Sequence, residues 1–210
     1  MANDKNPKTD LRTHDVTNQA TGFEGQSLYT SDPRLEAWLK AHGAQDHCPA
    51  IATFGEQLGQ PHTWQLADQA NRFAPELKTF DRFGGRIDEV AYHPAYHELM
   101  RMGCQAGIPS LAWHGTRGSH QAHAALEYML IQVEPGVCCP LTMSYAGAPV
   151  LSGQSEFKAF YDRLVTPGYD SSSRPWTEKS AVTMGMAMTE KQGGSDLRQV
   201  QTQAEPTSDG

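Results

Sequence analysis

Over residues 1–30 the chain is polar, poor in aliphatic side chains and without periodicity, which predicts an arm that is disordered or laid on a partner. Periodicity then begins. In Ser31-Asp32-Pro33 the aspartate can cap and the proline suits a first helical position, Leu35, Trp38 and Leu39 form a stripe to bury, and Gly43 marks a stop. Pro49 opens a segment with Ile51, Phe54 and Leu58 on one side, closed by Gly59 and Pro61, and Trp64, Ala67 and Ala70 keep helical spacing as far as Pro75. The pattern breaks between Thr79 and Val90 at Gly84-Gly85, as in a loop or short hairpin, and Pro94 starts a helix through Tyr96, Leu99 and Met100. The clearest helix is Ser119 to Val133, where Ala122, Ala125, Leu126, Met129, Leu130 and Val133 trace one apolar face behind a serine cap. Glu134-Pro135-Gly136 ends it. An apolar segment follows from Cys139-Pro140 to Leu151, and Ser155 is placed to cap a helix carrying Phe157, Phe160, Tyr161 and Leu164 that stops at Thr166-Pro167-Gly168.

Beyond this point the period changes. Ser171-Ser172-Ser173-Arg174-Pro175 reads as a linker, after which Val182, Met184, Met186 and Met188 alternate with Thr183, Gly185, Ala187 and Thr189, the period-two signature of a half-buried strand. A second strand is expected over residues 197–204, and Asp209-Gly210 is a hairpin-turn signal. Two strands without further partners are marginal in water, so the pattern predicts a sheet begun but not finished, as in a truncated or split product. The expected architecture is mainly α: a flexible arm over 1–30, a helical domain over 31–175, and over 176–210 the first strands of a truncated β domain.

Composition narrows the function classes. A net charge of −7 and the lack of a basic run argue against a nucleic-acid surface built on net charge. Cysteines at 48, 104, 138 and 139 have no C-x-x-C spacing, and an adjacent pair would form only a strained bridge, so reduced thiols in a cytoplasmic protein are expected. The N-terminus lacks an apolar export signal, and no apolar run is long enough to span a bilayer.

The candidate chemistry lies where the alternating segment meets Thr189-Glu190-Lys191-Gln192-Gly193-Gly194-Ser195-Asp196. Thr189 and Ser195 offer hydroxyls, and Gly193 and Gly194 offer backbone amides with no Cβ in the way, a combination suited to a phosphate or a heteroaromatic edge. An ordinary strand-to-strand turn explains the same residues. The methionines suit either a core or a flat ring, and Glu190 and Asp196 are assigned to stabilising the turn. His93 and His97 have i, i+4 spacing but no third ligand is evident, so no metal site is expected; His120 and His123 are explained equally well as solvated residues. No G-x-S-x-G elbow supports a serine hydrolase, and Cys138-Cys139 reads as core material.

Together with Phe80-Asp81-Arg82, Asp88-Glu89-Val90, Tyr92-His93-Pro94-Ala95-Tyr96-His97-Glu98-Leu99-Met100 and Cys139-Pro140-Leu141-Thr142-Met143, this loop resembles the acyl-CoA dehydrogenase superfamily, and its AidB-like, alkylation-response subgroup most closely, over residues 12–210. The resemblance implies an N-terminal helical domain, a middle β domain and a C-terminal helical bundle, with FAD between the last two. It places Thr189 on the flavin edge, Met188 beside the ring, and Ser195 with Gly193 and Gly194 at the pyrophosphate. The implied reaction removes the α-proton of an acyl-CoA thioester with a glutamate and passes a hydride to flavin. That glutamate belongs to the C-terminal bundle, so no catalytic residue is expected within this chain. The resemblance further implies a homo-oligomer, tetramer-like. Alternative roles are a non-catalytic alkylation-damage response protein, whose DNA contact would lie in a C-terminal part, and a truncated product that needs a separately encoded remainder.

Overall fold

The computed structural model describes residues 17–205 and Thr207. These contain seven α-helices and one hairpin: α1 Pro33–Ala41, α2 Cys48–Leu58, α3 Pro61–Arg72, β1 Glu76–Phe80, β2 Arg86–Ala91, α4 Pro94–Gln105, α5 Ser119–Val133, α6 Pro135–Leu151 and α7 Lys158–Leu164. Most helices start as their sequences require. A proline occupies the first turn of α1, α2, α3, α4 and α6, where its missing N–H has no helical acceptor to lose. Asp32 accepts from the Arg34 amide at 3.1 Å, and His93 Nδ1 accepts from the Ala95 amide at 3.2 Å. Glu134 accepts from Gly136 N at 2.9 Å and Val137 N at 2.7 Å, so the residue that ends α5 also caps α6.

Two expected serine caps are not formed. Gly118 at φ +74° precedes α5, and the Ser119 hydroxyl donates instead to Ala112 O at 3.3 Å. Ser155 begins a short 3-10 turn, Ser155–Phe157, that leads into α7 without a side-chain cap. The apolar stretch expected from Cys139 to Leu151 lies wholly inside α6, which starts earlier because Glu134 satisfies its first amides and which carries Pro140 and Pro149 internally.

The centre of the molecule is α5, packed against α1, α2, α3 and α6. Its expected face is buried: Ala122, Ala125, Leu126, Met129, Leu130 and Val133 meet Ile51 and Leu58 of α2, Leu99 and Met100 of α4, and Leu141 of α6 in one core. Each large side chain of this kind contributes about 1.5–3 kcal/mol relative to leaving it in water. Leu28 and Tyr29, at the end of the expected arm, are also buried, with Gly25 N bonded to Gly59 O at 2.7 Å and Leu28 N to Gly55 O at 3.1 Å. The arm is therefore tied down along α2 at this end; residues 1–16 of it and the turn expected at Asp209-Gly210 lie outside the described residues.

The break at Gly84-Gly85 is a hairpin. Strand β1 pairs antiparallel with β2, with Leu77 opposite Val90 and Lys78 opposite Glu89, and the register slips before Phe80 meets Arg86. The slip falls at Asp88, whose φ of +45° marks a bulge. By contrast, the strand expected over 182–188 has no ladder partner among the described residues, and the start of the second expected strand is a 3-10 turn, Leu197–Gln199. Alternation alone cannot supply a neighbour. What this segment finds in place of a strand is α6: Met184 N donates to Ser144 Oγ at 2.9 Å and Met186 N to Met143 Sδ at 3.2 Å.

Candidate functional site

The loop singled out by sequence is reached along α6. Ser144 is fully buried; its hydroxyl donates to Pro140 O at 2.7 Å while accepting from Met184 N, which aims the incoming segment. Gly147, one helical turn on, leaves the space that the Met184 side chain fills, and a Cβ there would collide with the thioether. The methionines expected on one face consequently divide. Met184 is half-buried against α6, whereas Met186 and Met188 are 47% and 55% exposed.

Past Met188 the chain closes on itself. Glu190 N donates to Gly193 O at 3.2 Å and Gly193 N to Glu190 O at 2.9 Å, and Gly193 takes φ +140°, a region side chains rarely adopt. Gly194 presses on Thr189 so closely that a Cβ would lie 2.6 Å from Thr189 Oγ1. Thr189, Gly193, Gly194 and Ser195 are thereby brought together. The last three, with Glu190, Asp196 and Val200, border a hollow of about 260 Å³; Met188 and Thr189 are not among its walls. The Gly193 amide, expected to face a ligand, is instead used inside the turn because the turn needs it to close. Among the described residues, the Gly194 and Ser195 amides have no acceptor in the chain.

Both carboxylates at the loop are engaged. Hydrogen bonds from the Thr202 hydroxyl, the Gln201 amide and the Gln192 side chain lower the Glu190 pKa to about 2. Arg198, at 2.7 Å, and Gln199 lower that of Asp196 to about 2, and Asp196 also caps the turn that follows. Their turn-stabilising assignment matches these bonds: Glu190 ties the residue 201–202 segment back onto the loop.

The histidines are occupied elsewhere. His93 caps α4, His97 Nδ1 lies 2.8 Å from the Tyr169 hydroxyl, and His120 Nδ1 lies 2.8 Å from that of Tyr145. His123 is buried rather than solvated; it stacks on Tyr145 at 3.7 Å, with Nδ1 on Ile108 O at 2.7 Å and Nε2 facing Glu127 at 3.4 Å. Among the described residues no group of three or more His, Cys, Asp or Glu could hold a metal ion. Burial pushes the Cys104 and Cys138 thiols up to about 12, whereas Cys139, expected in the core, is exposed on α6. The stretch read as a linker forms a compact corner around Asp170, which accepts from Ser172 N at 3.0 Å, Ser172 Oγ at 2.6 Å and Ser180 N at 3.1 Å. Only the Asp-x-Ser signal of a local side-chain turn marks that corner in the sequence.

Comparison with known proteins places this geometry in a family. The Adaptive response protein AidB N-terminal domain matches residues 18–171. AidB of Escherichia coli (strain K12) is 37% identical over 203 residues, 95% of this chain and 38% of its own length. Acyl-CoA dehydrogenase family member 11 of Caenorhabditis elegans is 25% identical over 84% of this chain and 29% of its own. Among solved structures, Caenorhabditis elegans ACDH-11 in complex with C11-CoA superposes with a TM-score of 0.67 at 22% identity, over 90% of this chain and 32% of that one. The Bd2924 apo-form does so with a TM-score of 0.70 at 24% identity, over 86% and 36%. The chain thus spans roughly a third of the proteins it matches. Its helical core, its hairpin and the course of its sequence make it a member of the AidB N-terminal domain family, within the acyl-CoA dehydrogenase superfamily.

Proposed function

We propose that this chain is the N-terminal part of an FAD-dependent acyl-CoA dehydrogenase-like oxidoreductase, and that Met188, Thr189, Gly193, Gly194 and Ser195 are its share of the flavin site. The residues present fit part of such a group. Met186 and Met188 offer exposed thioethers, which pack favourably against a flat aromatic ring. Thr189 Oγ1 is held over Gly194, and the Gly194 and Ser195 amides are the donors left for a phosphate. A hollow of about 260 Å³ is too small for a whole dinucleotide, so this loop accounts for one end of it. When bound, flavin supplies the hydride acceptor; this chain's residues bind and orient it.

The contact of Thr189 with Gly194 carries the reading, because it brings a hydroxyl next to backbone whose Gly194 and Ser195 amides have no acceptor among the described residues. In this reading the base that takes the α-proton, and the rest of the acyl-CoA pocket, come from polypeptide beyond this sequence. The C11-CoA held by ACDH-11 supports an acyl-CoA as the ligand class. A homo-oligomer and a cytoplasmic location complete the proposal.

Flavin titration of the purified protein, followed by visible absorbance and flavin fluorescence, tests it. Gly194→Val is expected to abolish flavin retention while leaving the far-ultraviolet dichroism intact, since the added side chain displaces the Thr189 hydroxyl. Flavin bound equally well by the variant overturns the assignment of this loop. If neither the 210-residue chain nor a full-length relative of the same family carrying the loop takes up flavin, the cofactor itself is wrong.

A further inference from the structure

Away from the flavin loop, the corner between α7 and residue 183 encloses a second cavity of about 250 Å³, just under the range of about 300–1,000 Å³ usual for drug-sized ligands. Its walls combine two kinds of chemistry. Phe160, Tyr169 and Trp176 supply aromatic surface, with the Phe160 and Trp176 rings edge to face at 5.3 Å. Arg174 and Lys179 supply positive charge, and among the described residues neither has a carboxylate within ion-pairing distance. Asp170 is the one acidic wall, and its oxygens are already taken by Ser172 and Ser180; those hydrogen bonds hold its carboxyl well below the usual range.

The cavity is also held in shape from behind. Arg163 donates to Ala159 O and Lys179 O at 2.9 Å and to Thr177 O at 3.1 Å, and its guanidinium lies 5.7 Å from the Trp176 ring centroid. The indole is thus held between the Arg163 guanidinium and the Phe160 ring, and Trp176 lines the cavity. Tyr169 is pinned through its hydroxyl by His97 at 2.8 Å, and Lys179 Nζ rests on Asp170 O at 3.2 Å. Ordering these side chains beforehand removes part of the cost of binding.

We infer that this cavity is a binding site for a mononucleotide, with the base against Trp176 and the phosphate between Arg174 and Lys179. Arg174, which also donates to Ser172 Oγ at 3.2 Å, and Lys179 outweigh the single carboxylate of Asp170 and leave a net positive wall that suits a phosphate; the aromatic walls suit a planar base. The two cavities are alike in volume, and it is their linings, aromatic and cationic here against glycine and carboxylate there, that separate this site from the proposed flavin loop.

Calorimetric titration of the 210-residue protein with AMP, adenosine and inorganic phosphate tests the site, with tryptophan fluorescence as a second readout. AMP is expected to bind saturably, with adenosine and phosphate each at least about ten-fold weaker because each lacks half of the contacts. Lys179→Met and Arg174→Met should each weaken AMP by about ten-fold, with Lys179→Arg restoring most of the loss. Arg174 is exposed, so that variant keeps the test valid should Lys179→Met unfold. Trp176→Phe should remove the fluorescence change. An absence of saturable AMP binding by folded protein, or binding unchanged in both methionine variants, overturns the proposal. Gly194→Val should keep AMP while losing flavin, and Lys179→Met should weaken AMP while leaving flavin unchanged, so the two sites fail separately.

Discussion

Glu134 serves two helices at once. Its backbone N–H closes the last turn of α5 on Leu130 O at 3.0 Å, and its carboxylate takes the first two free amides of α6. At 3% exposure it is also within reach of Asn71 on α3, at 3.4 Å. Replacing it with alanine strands buried donors, and Glu134→Ala is expected to cost about 1–3 kcal/mol. Glu134→Gln, which keeps an acceptor oxygen, should cost less. Urea unfolding with an unchanged slope measures both; equal losses would mean that the carboxylate contributes through charge or packing rather than as a cap. In the sequence Glu134-Pro135-Gly136 is visible as punctuation, but its second task is not, because a cap depends on where the next helix begins. The same holds at Ser119, whose hydroxyl finds a carbonyl in a preceding turn rather than the amides ahead of it.

At the scale of elements, α6 acts as the bed for the segment that leads to the loop. Ser144 and Met143 accept two amides of that segment, and Gly147 leaves room for Met184. Alanine at position 147 gains roughly 1 kcal/mol of helix propensity and meets only the flexible end of a methionine. A larger side chain has to push the segment away. Gly147→Leu is therefore expected to speed hydrogen exchange at the Met184 and Met186 amides while leaving α5 protected; protection retained at both amides would show that the bed is not what holds the segment. The alternation from Val182 to Met188 correctly marks a segment with an inner and an outer side. It cannot say whether the inner side meets a strand or a helix, and here it meets a helix.

For the molecule as a whole, buried imidazoles set a pH dependence. Burial lowers the His123 pKa below its ordinary 6.5, outweighing the raising effects of Ile108 O and Glu127, while His120 adds to the lowering. His97 is lowered too, by burial and then by Arg101 and Lys179. With both values depressed in the folded state, the unfolded chain binds more protons, so stability is full above the ordinary imidazole value and falls as the pH drops below it. The denaturation midpoint should decline between about pH 7 and about pH 5, and His123→Gln should flatten that decline. An identical slope in the variant would place the proton uptake elsewhere. The acidic carboxylates at Asp170, Glu190 and Asp196, all lowered, lose their contribution only at more acid pH.

Local chemistry that acts within a few residues was readable in the chain: the Asp32-Pro33 start of α1, the apolar face of α5, the hairpin at Gly84-Gly85, and the Thr189 to Ser195 loop as a place where backbone comes close to something. The physical reason is that caps, turns and helical faces are decided by neighbours in sequence. Other features depend on partners from distant parts of the chain, and only the tertiary structure decided them. It directed the Gly193 amide into its own turn, buried His123 beneath Tyr145 and tied Leu28 to α2. It also closed a presumed linker around Asp170 into an aromatic, cationic cavity, because the residues that complete it, Phe160, Tyr169 and Val182, meet only once the chain has turned back on α7.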